Sequence, residues 1–240
     1  MTNSSSQKEL ASFIGKLLRD SFGKGPESIF VTIEKSVISI YLRSFMTPAE
    51  KILIDQNQEE IFRQTRDVIM RTLFPEIKAF VKAVTEINIG EFYYDWGLHN
   101  RSGILVGISA NLNEKDLWLT DQYEGKEQIH LEISNISQKV EKAKPTIYSC
   151  QLNTRTLLII RNDILVTIEK ELIKQGYQEI LQNTKRNLEK KYLHNNNHFE
   201  AILKTKVDDI FVDWNFNKNK SAIIFTMKPY NIIGGNELNN

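Results

Sequence analysis

The sequence predicts an α+β protein of two tandem α-β-β-α-β-β units, each a four-stranded antiparallel sheet covered by helices. The first observation is that FYYDW at residues 92–96 nearly recurs as IFVDW at residues 210–214, each time before a polar turn. The second is that residues 46–66, shifted by 119, match residues 165–185 at eight positions. Unrelated segments of this length would share roughly one or two residues. Both observations indicate a tandem duplication.

Each unit begins with an amphipathic helix and a hairpin. In the first unit the apolar spacing predicts a helix that ends at Gly23, and apolar residues from Ile129 to Val140 predict its counterpart. β-Branched, alternating runs then predict two strands in each unit, namely SIFVTIE and VISIYLR in the first and TIYSCQL and TLLIIRN in the second.

The middle of each unit is a long predicted helix, from about Pro48 to Phe74 and from about Thr167 to Leu193. We expect Pro75 to end the first and a shorter helix to follow it, and HNNNH at residues 194–198 to break the second. The hairpins that close the units are INIGEFYYDW with GILVGIS, and VDDIFVDW with SAIIFTM.

Composition narrows the class of protein. The predicted domains are residues 1–121 and 122–240, and 41% apolar with 25% charged residues is typical of a globular chain. A net charge of +1 argues against a dedicated nucleic-acid binder. The polar start MTNSSSQ and the lack of an apolar run near 18 residues favour the cytoplasm. Cys150 is the only cysteine and is expected to be a buried apolar residue.

The FYYDW motif reads as a strand that enters a turn. Alternation places Phe92, Tyr94 and Trp96 on one face of the sheet, and Tyr93 and Asp95 on the other. In the second copy, Trp214 takes the first face, and Phe211 and Asp213 the second. We expect the aromatic residues to anchor the sheet to the helices and each aspartate to cap its own turn. The alternative is a paired functional site.

The segment MTPAE predicts a capping box. Thr47 is the expected N-cap, Pro48 the first helical residue, and Glu50 the residue that reaches back to the cap. The second copy keeps Glu169 but has Val166 at the cap position, so the box is expected to be lost there.

The segment GKGP at residues 23–26 has two interpretations. Gly23 and Gly25 with Pro26 are typical of a helix end, and glycine amides can also meet an anion. The spacing of a phosphate loop is missing, so helix termination is favoured.

Along the chain, GKGP, two strands, FMTPAEKIL, a long helix with Arg63 and Arg66, and a strand ending in Asp95 follow one another. This order resembles the MpsC family, which is named for a Na+-translocating membrane-potential-generating system. The resemblance covers roughly residues 8–110 and, more faintly, 125–228, so the chain looks like a two-copy member. It implies association with a membrane machine for cation or inorganic-carbon uptake. The positions that match the family pattern are Gly23, Gly25, Pro26, Thr47, Pro48, Glu50, Arg66 and Asp95. The second copy departs at most of them, which favours a structural role for it.

The residues do not predict an active site. His194 and His198 have the spacing of metal ligands on a helix, but NNN between them is turn-like and no third ligand is evident. Since no catalytic, cofactor or metal site assembles, we expect a protein that is not an enzyme.

Two hypotheses of function remain. The first is a non-catalytic cytosolic accessory protein or adaptor that binds a protein partner. Its two units are expected to pack as a pseudo-dimer over an apolar surface, and the chain could also form an oligomer. The alternative is a nucleic-acid or nucleotide-binding module. It would use exposed Tyr93 or Phe211 and a basic cluster made of Lys185, Arg186, Lys190 and Lys191. An exposed aromatic sheet face would favour the alternative.

Overall fold

A computed structural model describes residues 3–34, 36–112 and 122–228 of the chain. The elements of the first unit follow the predicted order. They are α1 (Asn3–Phe22), β1 (Ser28–Glu34), β2 (Val37–Arg43), α2 (Pro48–Asp55), α3 (Glu59–Thr85), β3 (Ile89–Gly97) and β4 (Ser102–Ser109).

The second unit repeats this order with one extra short helix. Its elements are α4 (Lys126–Glu141), β5 (Thr146–Asn153), β6 (Thr156–Asn162), α5 (Thr167–Lys174), α6 (Gln178–His194), α7 (His198–Leu203), β7 (Val207–Asn215) and β8 (Lys220–Met227). Both sheets are antiparallel and have the same strand order, β1-β2-β4-β3 and β5-β6-β8-β7. The predicted fold class is confirmed.

Each long predicted helix contains a break near its start that was not predicted. The break after α2 is at residues 56–58, where Asn57 has a φ of 57°. The break after α5 contains Gly176, which has a φ of 86°. The predicted end at Pro75 is wrong, because α3 continues through it to Thr85. Pro75 is exposed, so water can satisfy the carbonyl group that loses its helical donor. The predicted break at residues 194–198 is confirmed.

The two sheets pack against each other, and the helices cover their outer faces. Phe45, Trp96 and Leu105 belong to the apolar cluster between the first sheet and its helices. A separate cluster joins the two units and includes Tyr93, Val106, Leu158 and Phe211. Because side chains alternate along a strand, each sheet can bury one face under helices and the other against its partner sheet. The apolar surface expected between the units is therefore present.

Candidate functional site

The TPAE segment forms the predicted capping box at the start of α2. Thr47 Oγ1 accepts a hydrogen bond from the Glu50 amide at 3.2 Å, and Glu50 Oε2 accepts one from the Thr47 amide at 2.7 Å. Pro48 is the first residue of the helix. This arrangement satisfies two of the amides that the helix leaves without partners.

The same glutamate also binds Arg66, which extends from α3. Arg66 Nε lies 2.7 Å from Glu50 Oε1 and Nη2 lies 2.8 Å from Oε2, while Nη2 also donates to the Phe45 carbonyl. The guanidinium is fully buried, with the Trp96 ring 4.3 Å away. Burial alone would raise the pKa of Glu50, but Arg66 and Thr47 hold it below its usual range. The structure thus joins Thr47, Glu50, Arg66 and Trp96 in one buried cluster.

The glycines of GKGP end the first helix, as favoured by the sequence. Gly23 directly follows α1 and has a φ of 74°, a conformation that suits glycine. A Cβ atom on Gly25 would lie 3.3 Å from the Gly15 carbonyl oxygen, so this loop passes close to α1. Pro26 follows in the loop before β1. The glycine residues therefore position the chain between the first helix and the first strand.

The second copy keeps more of the TPAE chemistry than the sequence predicted. Val166 has no side-chain oxygen, yet its amide still donates to Glu169 at 3.0 Å, so half of the capping box remains. Glu169 also binds Lys185 at 2.9 Å, in the place of the Glu50–Arg66 pair. Lys185 contacts Glu141 as well, and burial together with nearby Glu189 raises the pKa of Glu141. The equivalent charge pair is thus retained in both units.

The two aspartates of the repeated motif bind each other's strands. Asp95 Oδ2 accepts a hydrogen bond from the Val212 amide, and Asp213 Oδ2 accepts one from the Tyr94 amide, both at 2.9 Å. Tyr94 and Val212 occupy equivalent positions, so the two contacts are related by a pseudo-twofold axis. The prediction that each aspartate caps its own turn is wrong. We call this pair of contacts the aspartate clasp.

Three cations surround Asp95. Lys190 Nζ lies 2.5 Å from Asp95 Oδ2, while Arg63 and Arg186 approach Oδ1 at 3.6 and 3.7 Å. Burial alone would raise the pKa of Asp95, but Lys190, Arg186 and Arg63 hold it below its usual range. Asp95 is therefore a charged carboxylate at the interface between the units.

Asp213 has weaker charge compensation. Gln182 donates to its Oδ1 at 3.0 Å, and Arg186 lies 3.9 Å away. Burial raises the pKa of Asp213 to about 7, and the nearby Asp95 carboxylate adds to this effect. The two carboxyl groups of the clasp therefore differ in charge at neutral pH.

Most of the features that nucleic-acid binding would use are buried, and only Lys190 and Lys191 of the basic cluster reach solvent. Tyr93 and Phe211 both have 0% exposure, because the two sheet faces cover each other. Lys185 and Arg186 are buried in ion pairs and do not form a solvated basic face. The exposed aromatic face that the alternative function requires is therefore missing from the described sheets. The expectation of a solvated face is wrong for Lys185 and Arg186, since a charge pattern on a helix does not reveal which charges are paired.

Comparison with known proteins identifies the family. The model of the family described as Na+-translocating membrane potential-generating system (MpsC) matches residues 2–111 and again residues 122–229. The chain belongs to the MpsC family. Neither the curated proteins nor the solved structures compared with it gave a match.

Within the described part of this MpsC-family chain, no helix is both long and apolar enough to cross a bilayer. The same residues contain no group of three or more potential metal ligands. His198, one of the spaced pair, contacts Glu132 at 3.2 Å.

The long helices of this MpsC-family chain expose an uncharged stripe on their outer sides. It consists of Ile61, Thr65 and Val68 on α3, and Ile180 and Thr184 on α6. Ile61 is 46% exposed, and its equivalent Ile180 is 64% exposed. Arg71 on α3 and Glu179 on α6 lie 3.5 Å apart, so the two helices are adjacent. We call these five residues the helical stripe.

Proposed function

We propose that this chain is a non-catalytic, cytosolic accessory protein that binds a protein component of a membrane cation or inorganic-carbon uptake system. The family description supports the link to a Na+ membrane-potential system. The observation that carries the binding role is the helical stripe, which displays apolar side chains on both long helices.

The helical stripe is not required by the fold. Ile61 and Thr65 recur as Ile180 and Thr184 at equivalent positions, although all four side chains are exposed and pack little within the chain. A single exposed isoleucine is ordinary on a protein surface, but three exposed apolar side chains on adjacent helices, two of them at equivalent positions of the copies, favour an interaction surface. We therefore infer that the helical stripe is the surface that the partner covers.

A binding role also agrees with the state of the motif residues. Glu50 and Arg66 neutralise each other inside the first unit, and Asp95 is occupied by Val212 and Lys190. Residues that general acid-base catalysis would require to face a substrate are thus engaged in internal contacts. These contacts favour a structural role for the motifs and a binding role for the surface.

The test is affinity purification of the tagged protein from its own cells, with membrane and other fractions kept separate. We expect stoichiometric recovery of an integral membrane protein with the wild type. The double substitution Ile61→Glu with Ile180→Glu should lower that recovery about tenfold or more, because it puts charge into the contact. Leu131→Glu is the matched control, since Leu131 is 61% exposed on α4 and lies outside the helical stripe.

Two results would reject the proposal. One is equal recovery of the membrane protein with the double variant and with the Leu131 control. The other is recovery of nucleic acid that nuclease removes, without a membrane protein, which would support the alternative function. Circular dichroism of each variant verifies that the fold persists.

A further inference from the structure

A cleft opens between the two units on the side opposite the aspartate clasp. The edge strand β1 and the β5–β6 hairpin form its walls, and Asn153 Nδ2 donates to Thr32 Oγ1 across it at 2.8 Å. Two compartments of about 360 and 380 Å³ adjoin there. They share Phe30, Tyr41 and Arg155 as lining residues, so they are neighbouring compartments of one cleft region, each within the size range of a small-ligand site.

One compartment carries an excess of positive charge. Arg43, Arg155 and Lys228 line it, against a single carboxylate from Asp208. The Tyr41 hydroxyl lies 3.5 Å from the Asp208 carboxylate and 3.3 Å from the buried Asp209 carboxylate, which also accepts a hydrogen bond from Ser102. Among the residues that the structure describes, Arg43 and Lys228 have no carboxylate partner within ion-pair distance. Three cations against these two acids still leave an excess of positive charge in the crevice, which favours an anionic group.

Arg155 is held in position at the junction of the compartments. Its Nε donates to the Met227 carbonyl at 3.2 Å, and its guanidinium carbon lies 5.8 Å from the centre of the Phe30 ring. Phe30 itself is 44% exposed, although it is a large apolar side chain. The other compartment has a mixed apolar and hydroxyl lining that includes Val31 and Thr226. An apolar body placed there would keep its charged group beside Arg155.

The pseudo-equivalent crevice across the twofold axis is different. Ile160 stands there in the place of Tyr41, and Ala110 in the place of Lys228. Its two lysines, Lys218 and Lys220, contact Glu91 at 3.0 and 3.1 Å. Because these cations already have a carboxylate partner, the chain offers an unneutralised cationic crevice in one of the two equivalent places.

We propose that the cleft binds one small organic anion per chain. Arg43, Arg155 and Lys228 hold its carboxylate, sulfonate or phosphate group, since guanidinium groups match such oxygens with paired hydrogen bonds. Phe30 and Tyr41 contact a planar apolar part of the ligand. This site is independent of the helical stripe and of the partner that binds there.

The probe for this site is 8-anilino-1-naphthalenesulfonate, an organic anion with an aromatic body, titrated by fluorescence against the full-length chain at low salt. We expect one saturable site per chain. Arg43→Gln should weaken binding about tenfold, and Arg155→Gln at least as much, because each removes a charge that faces the sulfonate. Arg19→Gln, which changes an exposed arginine on α1, is the matched control and should leave the affinity within about twofold of the wild type.

The uncharged analogue N-phenyl-1-naphthylamine separates anion recognition from apolar binding. It should bind about tenfold more weakly than the sulfonate, and Phe30→Ala should weaken both. Equal affinity for the two probes, an unchanged affinity in Arg43→Gln, two equal sites per chain, or a lack of saturable binding would each overturn the proposal. Arg43 makes no side-chain hydrogen bond or ion pair in the described structure, so Arg43→Gln is expected to fold even if Arg155→Gln does not.

Discussion

The aspartate clasp provides a matched pair of substitutions, Asp95→Asn and Asp213→Asn. Both change a buried carboxyl group into an amide of the same shape, and both side chains accept a hydrogen bond from the opposite strand. The two carboxyl groups differ in their neighbours. Asp95 has three cations around it, whereas Asp213 has Gln182 and a more distant Arg186. The same aspartate-to-asparagine substitution should therefore change the stability of the protein by different amounts at the two positions.

The stability cost of each substitution depends on the buried cations that lose their carboxylate partner. Asp95→Asn removes the partner of Lys190, Arg63 and Arg186 inside the protein, and breaking a buried pair in this way costs about 3–5 kcal/mol. Asp213 has a folded-state pKa of about 7, so at pH 7 the Asp213 side chain is already neutral in about half of the protein molecules. The Gln182 amide can turn to offer its oxygen to the new amide group. We expect Asp213→Asn to cost about 1 kcal/mol or less at pH 7.

The contributions of Asp213 and Asp95 to stability change with pH in opposite directions. Because the pKa of Asp213 is raised on folding, the native state binds a proton that the unfolded state has released between about pH 4 and 7. Its contribution to stability is complete below that window and is lost as the pH rises through it. Between pH 5 and 8 the loss is about 3 kcal/mol. Asp95 has a lowered pKa, so its contribution is lost only as the pH falls below the usual aspartate range.

The assay is denaturant unfolding from pH 5 to 8 at constant ionic strength, with the wild type and both variants. The free energy of unfolding of Asp213→Asn, relative to the wild type, should rise by about 3 kcal/mol across this range. Asp95→Asn should be clearly the less stable variant at pH 7 and above, and the two variants should approach each other in stability toward pH 5. The reasoning is refuted if the two variants lose equal stability at pH 7, or if the slope of Asp213→Asn equals that of the wild type, to which Glu141 with its raised pKa also contributes.

Two further predictions concern the capping position and the packing of Trp96, and both are measured as free energies of unfolding. Thr47→Ala should cost about 1 kcal/mol of stability, because the helix loses its side-chain cap. Val166→Thr should gain about 0.5–1 kcal/mol, since Val166 (φ −81°, ψ 166°) has nearly the conformation of Thr47 (φ −79°, ψ 161°) and its helix keeps Glu169. A destabilising Val166→Thr would contradict this reasoning. Gly103→Ala should cost about 1–3 kcal/mol with altered Trp96 fluorescence, since the added Cβ would lie 2.5 Å from Trp96 Cε3; an unchanged stability would show that the tryptophan can move.

The strands were predictable because β-branched residues and the alternation of apolar and polar side chains are visible in the sequence itself. SIFVTIE and VISIYLR are β1 and β2 residue for residue. The break between the paired helices was missed because Gln56–Asn57–Gln58 contains neither glycine nor proline. A signal existed, since Asn57 aligns with Gly176 and both residue types tolerate the positive φ found there. Alignment of the two copies, with attention to positions where one has glycine and the other asparagine, would have revealed this break.

The buried charges were harder to predict. Lys185 reads as a surface residue in the sequence of its helix, yet it is buried between Glu169 and Glu141. The signal was again in the duplication, because a cation at the position of Arg66 and Lys185 recurs together with Glu50 and Glu169. A pair of opposite charges retained at equivalent positions in both copies predicts a contact that neither copy shows alone. Sequence periodicity cannot supply this, since the partners lie on different helices.

The clasp also explains why the two copies differ where they meet. Asp67 in the first unit aligns with Arg186 in the second, and Arg186 lies at the centre of the clasp near Asp95 and Asp213. Two identical first units would place a second Asp67 where Arg186 lies and a second Arg63 where Gln182 lies, so this centre would lose one net positive charge. The carboxylates of the clasp would then be buried with less compensation, which is costly. Divergence between the copies therefore made the two units electrostatically complementary, so the pairing of unlike units is favoured over the pairing of like ones.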